Sequence, residues 1–158
     1  MADASLPPEV VRNDSPATDR GVRVMVVDDQ EAFRSAMCEL VSATEGFDLV
    51  GEAPSGEDAL AAMERYAPDF VVMDARMPGM GGTEAAVRLL ARYPDRVVLL
   101  VSLYDLTETP PLGPGGEEIP FVRKAELRRH VLRDVWEQQH AARLAAGQCA
   151  PSPAGQTA

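Results

Sequence analysis

The sequence predicts a doubly wound α/β domain, a parallel sheet with helices on both faces. Three observations predict it. Between residues 21 and 144, short apolar runs rich in β-branched residues alternate with segments of helical periodicity. That alternation is what a parallel sheet covered on both sides requires. Several of the apolar runs end abruptly in an acid, a hydroxyl or an amine. The two ends of the chain have no periodicity at all.

The elements follow in order. "VRVMVV" (22–27) reads as a buried strand. Behind it, Phe33, Ala36, Met37, Leu40 and Val41 recur at the spacing of one helix face. "FDLVGEA" (47–53) alternates like a half-exposed strand. "PSGEDALAAMERYA" (54–67) is a helix with Ser55 as N-cap and Asp58 three residues on. "DFVVMD" (69–74) is an apolar strand, and "GGTEAAVRLLARY" (81–93) a helix whose predicted cap is Thr83. "RVVLLVS" (96–102) is another apolar strand. "IPFVRK" (119–124) is a short strand whose early proline suits a sheet edge. "AELRRHVLRDVWEQQHAARLAA" (125–146) is the final helix. Residues 1–20 are rich in Pro, Asp, Ser and Ala and are predicted to be a disordered arm, and residues 145–158 a disordered tail.

Composition sets the outer limits. A chain of 158 residues, 46% of them hydrophobic, suits one domain with a real core. No apolar run approaches the ~20 residues of a membrane helix, so no membrane insertion is expected. The first residues lack the apolar stretch of a secretion signal. Cys38 and Cys149 lie far apart, which fits a reduced, cytoplasmic protein better than a disulfide scaffold. The net charge is −10, and residues 21–144, with 13 Lys+Arg and 21 Asp+Glu, carry −8 of it. That balance argues against direct nucleic-acid binding, which rests on neutralising phosphates. The chain after residue 124 is also expected to be too short for a second, DNA-binding domain.

In open parallel sheets, ligands bind beyond the carboxyl ends of the strands. The predicted strand ends bring Asp28, Asp29, Asp74, Ser102 and Lys124 to one rim. Three clustered carboxylates are costly unless a cation joins them. Mg²⁺ is the natural choice, since it takes hard oxygen ligands and works with phosphate groups. Lys124 supplies a point charge for an anion, and Ser102 can donate to an oxyanion. The set describes a phosphoryl site with a metal beneath it.

Here the sequence resembles the receiver domain of two-component response regulators, over about residues 21–144. The acidic pair in "VDD", the segment "MDARMPGMGG", Ser102 and "FVRK" occur in the family's order. Asp29 and Asp74 stand 45 residues apart, Asp74 and Ser102 28, Ser102 and Lys124 22. The resemblance implies a flavodoxin-like five-stranded sheet in the order 2-1-3-4-5. It implies that Asp74 accepts a phosphoryl group from a sensor histidine kinase or phosphotransfer protein. Asp29, Asp74 and the backbone carbonyl of Arg76 would ligate Mg²⁺, with Asp28 acting through a water. Ser102 and Lys124 would hold the phosphoryl oxygens. Phe121 falls at the family's switch aromatic, and Arg76 and Tyr104 at positions that tune phosphoryl lifetime.

The chain departs from the family in three places. Leu103 follows Ser102 where a small residue is commoner, which tightens access to Asp74. Gly81 replaces the usual Asp or Asn before Gly82. "DLTETPPLGPGGEEI" (105–119) occupies the place of the family's fourth helix, and three prolines and three glycines within residues 110–116 predict that this helix is degenerate or missing. Any homodimer is then expected to use the final helix.

The reading is a stand-alone receiver that signals to an unknown downstream protein through protein–protein interaction, and no enzyme beyond its own phosphorylation and dephosphorylation. The alternative is a pseudo-receiver, a phosphorylation-independent interaction module. A Mg²⁺-dependent phosphohydrolase is a further rival, but its usual "DxDxT" signature is missing, since Asp74 is followed by Ala75 and then Arg76 where the second Asp would stand. Arg123, Arg128, Arg129 and Arg133 read as a solvated helix face, and His130 and His140 as surface residues.

Overall fold

The computed structural model describes residues 21–104 and 111–149. Five strands form its sheet: β1 (Val22–Val27), β2 (Phe47–Ala53), β3 (Phe70–Asp74), β4 (Val97–Ser102) and β5 (Phe121–Arg123). All are parallel, in the order β2-β1-β3-β4-β5. The chain steps from β1 outward to β2, then crosses back to β3 on the other side. The switch point therefore falls between β1 and β3, above the carboxyl ends of both strands. Four helices cover the sheet: α1 (Glu31–Ser42), α2 (Gly56–Tyr66), α3 (Gly82–Arg92) and α4 (Arg129–Cys149).

The two-residue period of the strands sorts the core into two layers. Met25, Val27, Val71, Met73, Val98 and Leu100 face one way and pack on Ala59 and Met63 of α2 and Ala85, Ala86, Leu89 and Leu90 of α3. Val24, Val26, Phe70, Val72, Leu99 and Val101 face the other way, onto Met37 and Val41 of α1 and Leu132 of α4. Strands buried on both faces read as continuous apolar runs, as β3 and β4 do up to their last residues. β2 lies at the edge and is half-exposed, as its sequence predicts, but its alternation breaks at Val50, where the register with β1 shifts.

Local signals set several element ends. Ser55 caps α2 as expected, its Oγ accepting the Asp58 N–H at 3.1 Å. At the other end of α2, the Arg23 guanidinium donates to the carbonyls of Tyr66 (2.6 Å) and Ala67 (3.3 Å). A cation there meets the negative end of the helix dipole.

Four expectations need correction. Thr83 does not cap α3; the helix starts at Gly82, with Gly81 as N-cap and no side-chain cap bond. The cause is steric, since the helix start is pressed onto the end of β3 and a Cβ at Gly82 would collide with the Asp74 carbonyl. Lys124 is not the last residue of β5 but opens a 3-10 turn, Lys124–Glu126, and α4 follows at Arg129. α4 then runs to Cys149, so residues 145–149, expected in a disordered tail, belong to the helix. His140 is not a plain surface residue: its ring stacks on Trp136 at 4.6 Å, and Trp136 in turn meets Phe70 at 5.8 Å.

The proline- and glycine-rich segment behaves as its composition predicts where it is described. Residues 111–119 contain no helix. Leu112 bridges Glu118 in antiparallel fashion around a tight turn. The Gly113 N–H donates to the Glu117 carbonyl at 2.7 Å, the Gly116 N–H to the Gly113 carbonyl at 3.0 Å, and Gly116 takes a φ of 85° that favours glycine. Residues 105–110, the remainder of that expectation, lie outside the described residues, as do the N-terminal arm and residues 150–158.

Candidate functional site

The apolar strands deliver polar groups to one rim because each ends where its last core residue ends. β1 is followed directly by Asp28 and Asp29, β3 closes on Asp74 and β4 on Ser102. Asp28, Asp74 and Ser102 are buried, with exposures of 0%, 6% and 2%, whereas Asp29 is exposed. Lys124 reaches in from the turn after β5 with its side chain 7% exposed. Asp29, Asp74, Ser102 and Lys124, together with Arg76 and Tyr104, line a cleft of about 230 Å³, with Asp28 buried beneath it.

The hydrogen bonds leave specific valences open. Asp28 Oδ1 accepts the Gln30 N–H at 2.9 Å, and Asp74 Oδ1 accepts the Arg76 N–H at 3.1 Å. The second oxygens of both carboxylates face the Lys124 ammonium, at 2.7 Å for Asp28 and 3.4 Å for Asp74. Ser102 Oγ accepts the Tyr104 N–H at 3.3 Å, which leaves its own proton to donate.

Charge at the site is incompletely balanced. One carboxylate oxygen from each of Asp28, Asp29 and Asp74 lies within 4.8 Å of the others, against a single ammonium. Burial pushes the Asp74 carboxyl above its ordinary range; the Arg76 N–H and Lys124 pull it down, and the Asp28 charge pushes it up again. A compact all-oxygen donor set with surplus negative charge fits a hard divalent cation such as Mg²⁺. It does not suit zinc, which favours nitrogen and sulfur.

The structure brings together every residue the sequence singles out for this rim. Arg76 and Tyr104 also meet each other at its mouth, with the guanidinium carbon 5.7 Å from the ring centroid. Leu103, exposed beside them, lines the same cleft. Phe121 lies farther out, half-buried and paired in register with Leu100.

Three contributors escaped the sequence reading. The Phe33 ring lies 4.1 Å from Lys124 Nζ, face on. Arg34 donates to the Asp28 carbonyl (2.9 Å) and to Glu52 (3.2 Å), bracing the end of β1. Glu57, in the first turn of α2, accepts the Met80 N–H at 3.0 Å and ties down the loop after β3. Phe33 carried a signal, its helical spacing, but that spacing also reads as core. No pattern marks Arg34 or Glu57.

Comparison with known proteins points the same way. Residues 24–110 match the model of the response regulator receiver domain. The response regulator GacA of Pseudomonas aeruginosa is 40% identical over 82 residues, which cover 52% of this chain and 38% of GacA. The DNA-binding transcriptional activator DevR/DosR of Mycobacterium tuberculosis is 35% identical over 118 residues, covering 72% of this chain and 54% of that protein. The chain thus spans between about two fifths and half of these relatives' lengths. Among solved structures, the signal receiver domain of the putative response regulator NarL from Mycobacterium tuberculosis superposes with a TM-score of 0.63 at 28% identity, covering 76% of this chain and 97% of that one. A CheY-like receiver from Methanospirillum hungatei shares the fold, with a TM-score of 0.65 at 18% identity over 80% of this chain and 98% of that one.

Proposed function

The chain belongs to the response regulator receiver domain family, and from that premise we propose that it accepts a phosphoryl group on Asp74 from a phosphohistidine. The donor would be a sensor histidine kinase or phosphotransfer protein. The chain would act as a cytoplasmic switch that signals through a downstream protein. It catalyses nothing beyond its own phosphorylation and dephosphorylation.

The observation that carries this reading is the convergence of Asp74 Oδ2 and Lys124 Nζ at 3.4 Å, beside Asp28 and Asp29. An Asp74 oxygen attacks phosphorus; the P–N bond to the donor imidazole breaks, and the bond to Asp74 forms an acyl phosphate. Lys124 offers its charge to the transferring oxygens, and Ser102 has a proton to donate to one of them. Asp28, Asp29, Asp74 and the Arg76 carbonyl are the groups that would hold Mg²⁺. When bound, that ion supplies charge neutralisation for an anion approaching an acidic cleft.

No helix among the described residues is long and apolar enough to cross a membrane. Phe121 would report phosphorylation outward along the β5 edge. Self-association would use α4, where Leu144 is exposed. The turn at 112–118 is the one feature favouring the phosphorylation-independent alternative, because it remodels the face beside β5.

Intact-mass measurement after incubation with acetyl phosphate and Mg²⁺ decides between the two readings. The wild type should gain one phosphoryl group and Asp74→Asn none. Equal labelling of both proteins, or none of the wild type, would refute the phosphoryl-transfer reading.

A further inference from the structure

We propose that Phe33 is a positioning residue for phosphoryl transfer, holding the Lys124 ammonium against the acceptor carboxylate by its ring face. This rests on the reading of Asp74 as phosphoacceptor and adds to it a residue outside the charged rim.

The ammonium of Lys124 is enclosed on three sides. Asp28 Oδ2 lies at 2.7 Å, Asp74 Oδ2 at 3.4 Å, and the centroid of the Phe33 ring at 4.1 Å. With the side chain only 7% exposed, little water remains to solvate the charge. A cation over an aromatic face is attracted by the ring quadrupole, more so when desolvated. Phe33 is the aromatic ring that faces the flexible lysine among the described residues. Phe33 stands in the first turn of α1, so its ring is fixed by the helix rather than by a loop. The ring also lines an apolar groove with Met37, Leu40, Leu127 and Lys124 itself, and Lys124 reaches from that groove into the polar cleft.

The ring acts on direction as well as charge. Asp28 pulls the ammonium toward the end of β1 and Asp74 pulls it toward the cleft. Phe33 closes the third side, so the lysine can exchange Asp28 for an incoming phosphoryl oxygen without swinging out to solvent. An aliphatic residue of similar size would fill the space but would not attract the charge.

The experiment uses the full chain, with phosphoramidate as a small donor at saturating Mg²⁺, followed by intact mass. Phe33→Leu should be labelled about three- to tenfold more slowly, the loss expected for one partly desolvated cation–π contact. Phe33→Tyr should stay within about twofold of wild type, since a phenol keeps the quadrupole. Pentafluorophenylalanine at position 33, which keeps the ring and inverts its quadrupole, should slow labelling as leucine does; it serves also if Phe33→Leu folds poorly. In a Lys124→Ala background, Phe33→Leu should have no further effect. Mg²⁺ affinity, read by calorimetry, should not fall in Phe33→Leu, whereas a merely structural disturbance of the acidic cluster would lower it.

Independently of phosphorylation, the ε-methylene protons of Lys124 should show an upfield ring-current shift by NMR. The shift should vanish in Phe33→Leu and persist in Phe33→Tyr. Wild-type labelling rates in Phe33→Leu, an equal effect without Lys124, weakened Mg²⁺ binding, or an absent ring-current shift would each overturn the proposal. An unlabelled wild type would sink the phosphoacceptor reading, while the NMR comparison would still decide the place of Phe33.

Discussion

Lys124 Nζ sits closer to Asp28 than to Asp74, at 2.7 Å against 3.4 Å. The lysine therefore occupies a carboxylate that a divalent ion would also seek. Replacing it with alanine should raise Mg²⁺ affinity by about tenfold, equivalent to ~1.4 kcal/mol, because one competing charge is gone. Calorimetric titration measures this directly. The effect should survive moderate salt, since a buried pair is poorly screened. Unchanged or weaker binding would show that the lysine does not compete.

Asp74 makes the metal-free fold sensitive to pH in a defined direction. Its carboxyl titrates above the ordinary value of 3.8, chiefly because it is buried. Between that value and the raised one, the folded protein holds a proton that the unfolded chain has released. Stability must then fall as pH rises through that window and stay lower above it. Asp74→Asn lacks this loss, so its advantage over wild type should grow through the window and level off. Urea midpoints from pH 4 to 8 with chelator present will test the sign. A difference independent of pH would contradict it.

Arg76 and Tyr104 meet as a pair in the lining of the cleft. Both line the cleft by which water would reach an acyl phosphate at Asp74. We expect Arg76→Ala and Tyr104→Ala each to shorten the phosphoryl half-life about two- to fivefold, the range set by an exposed cation–π contact. The double variant should be little faster than either single one, because both break the same contact. Decay of the phosphorylated mass with time supplies the half-lives. Fully multiplicative effects would mean that the two side chains act separately.

Cys38 should be chemically quiet. Burial, and then its bond to Glu52 at 3.2 Å, push its thiol up to about 12. At pH 8 only about one molecule in ten thousand is then thiolate, the reactive form. Peptide mapping after iodoacetamide should find Cys38 unmodified in the native protein and alkylated in urea. Rapid native labelling would refute the assigned environment.

The sheet was legible because strand burial writes itself into composition: β3 and β4 are apolar up to their last residues, and β2 mixes polar with apolar residues as a half-exposed edge strand does. The rim was legible for the opposite reason. Asp28, Asp74 and Ser102 interrupt apolar runs at their ends, where only a polar task explains the cost of burial. The start of α3 was not legible, because Thr83 is a good cap in isolation and Gly82 is needed only once the Asp74 carbonyl lies against it. The end of α4 was missed because the tail has no apolar periodicity to mark a helix, yet the helix runs on to Cys149. Phe33 was read as core because a ring facing a lysine and a ring facing leucines share the same helical spacing.

Trp136, the chain's single tryptophan, packs on Phe70 at the start of β3, so the whole length of that strand separates it from Asp74. The protein therefore carries a fluorescent gauge of folding at the pole opposite its acidic cleft. Loading the cleft should leave that gauge still while unfolding moves it. A tryptophan signal that follows cleft occupancy would thus mean that strain has been conducted through the sheet, and its amplitude would measure how much.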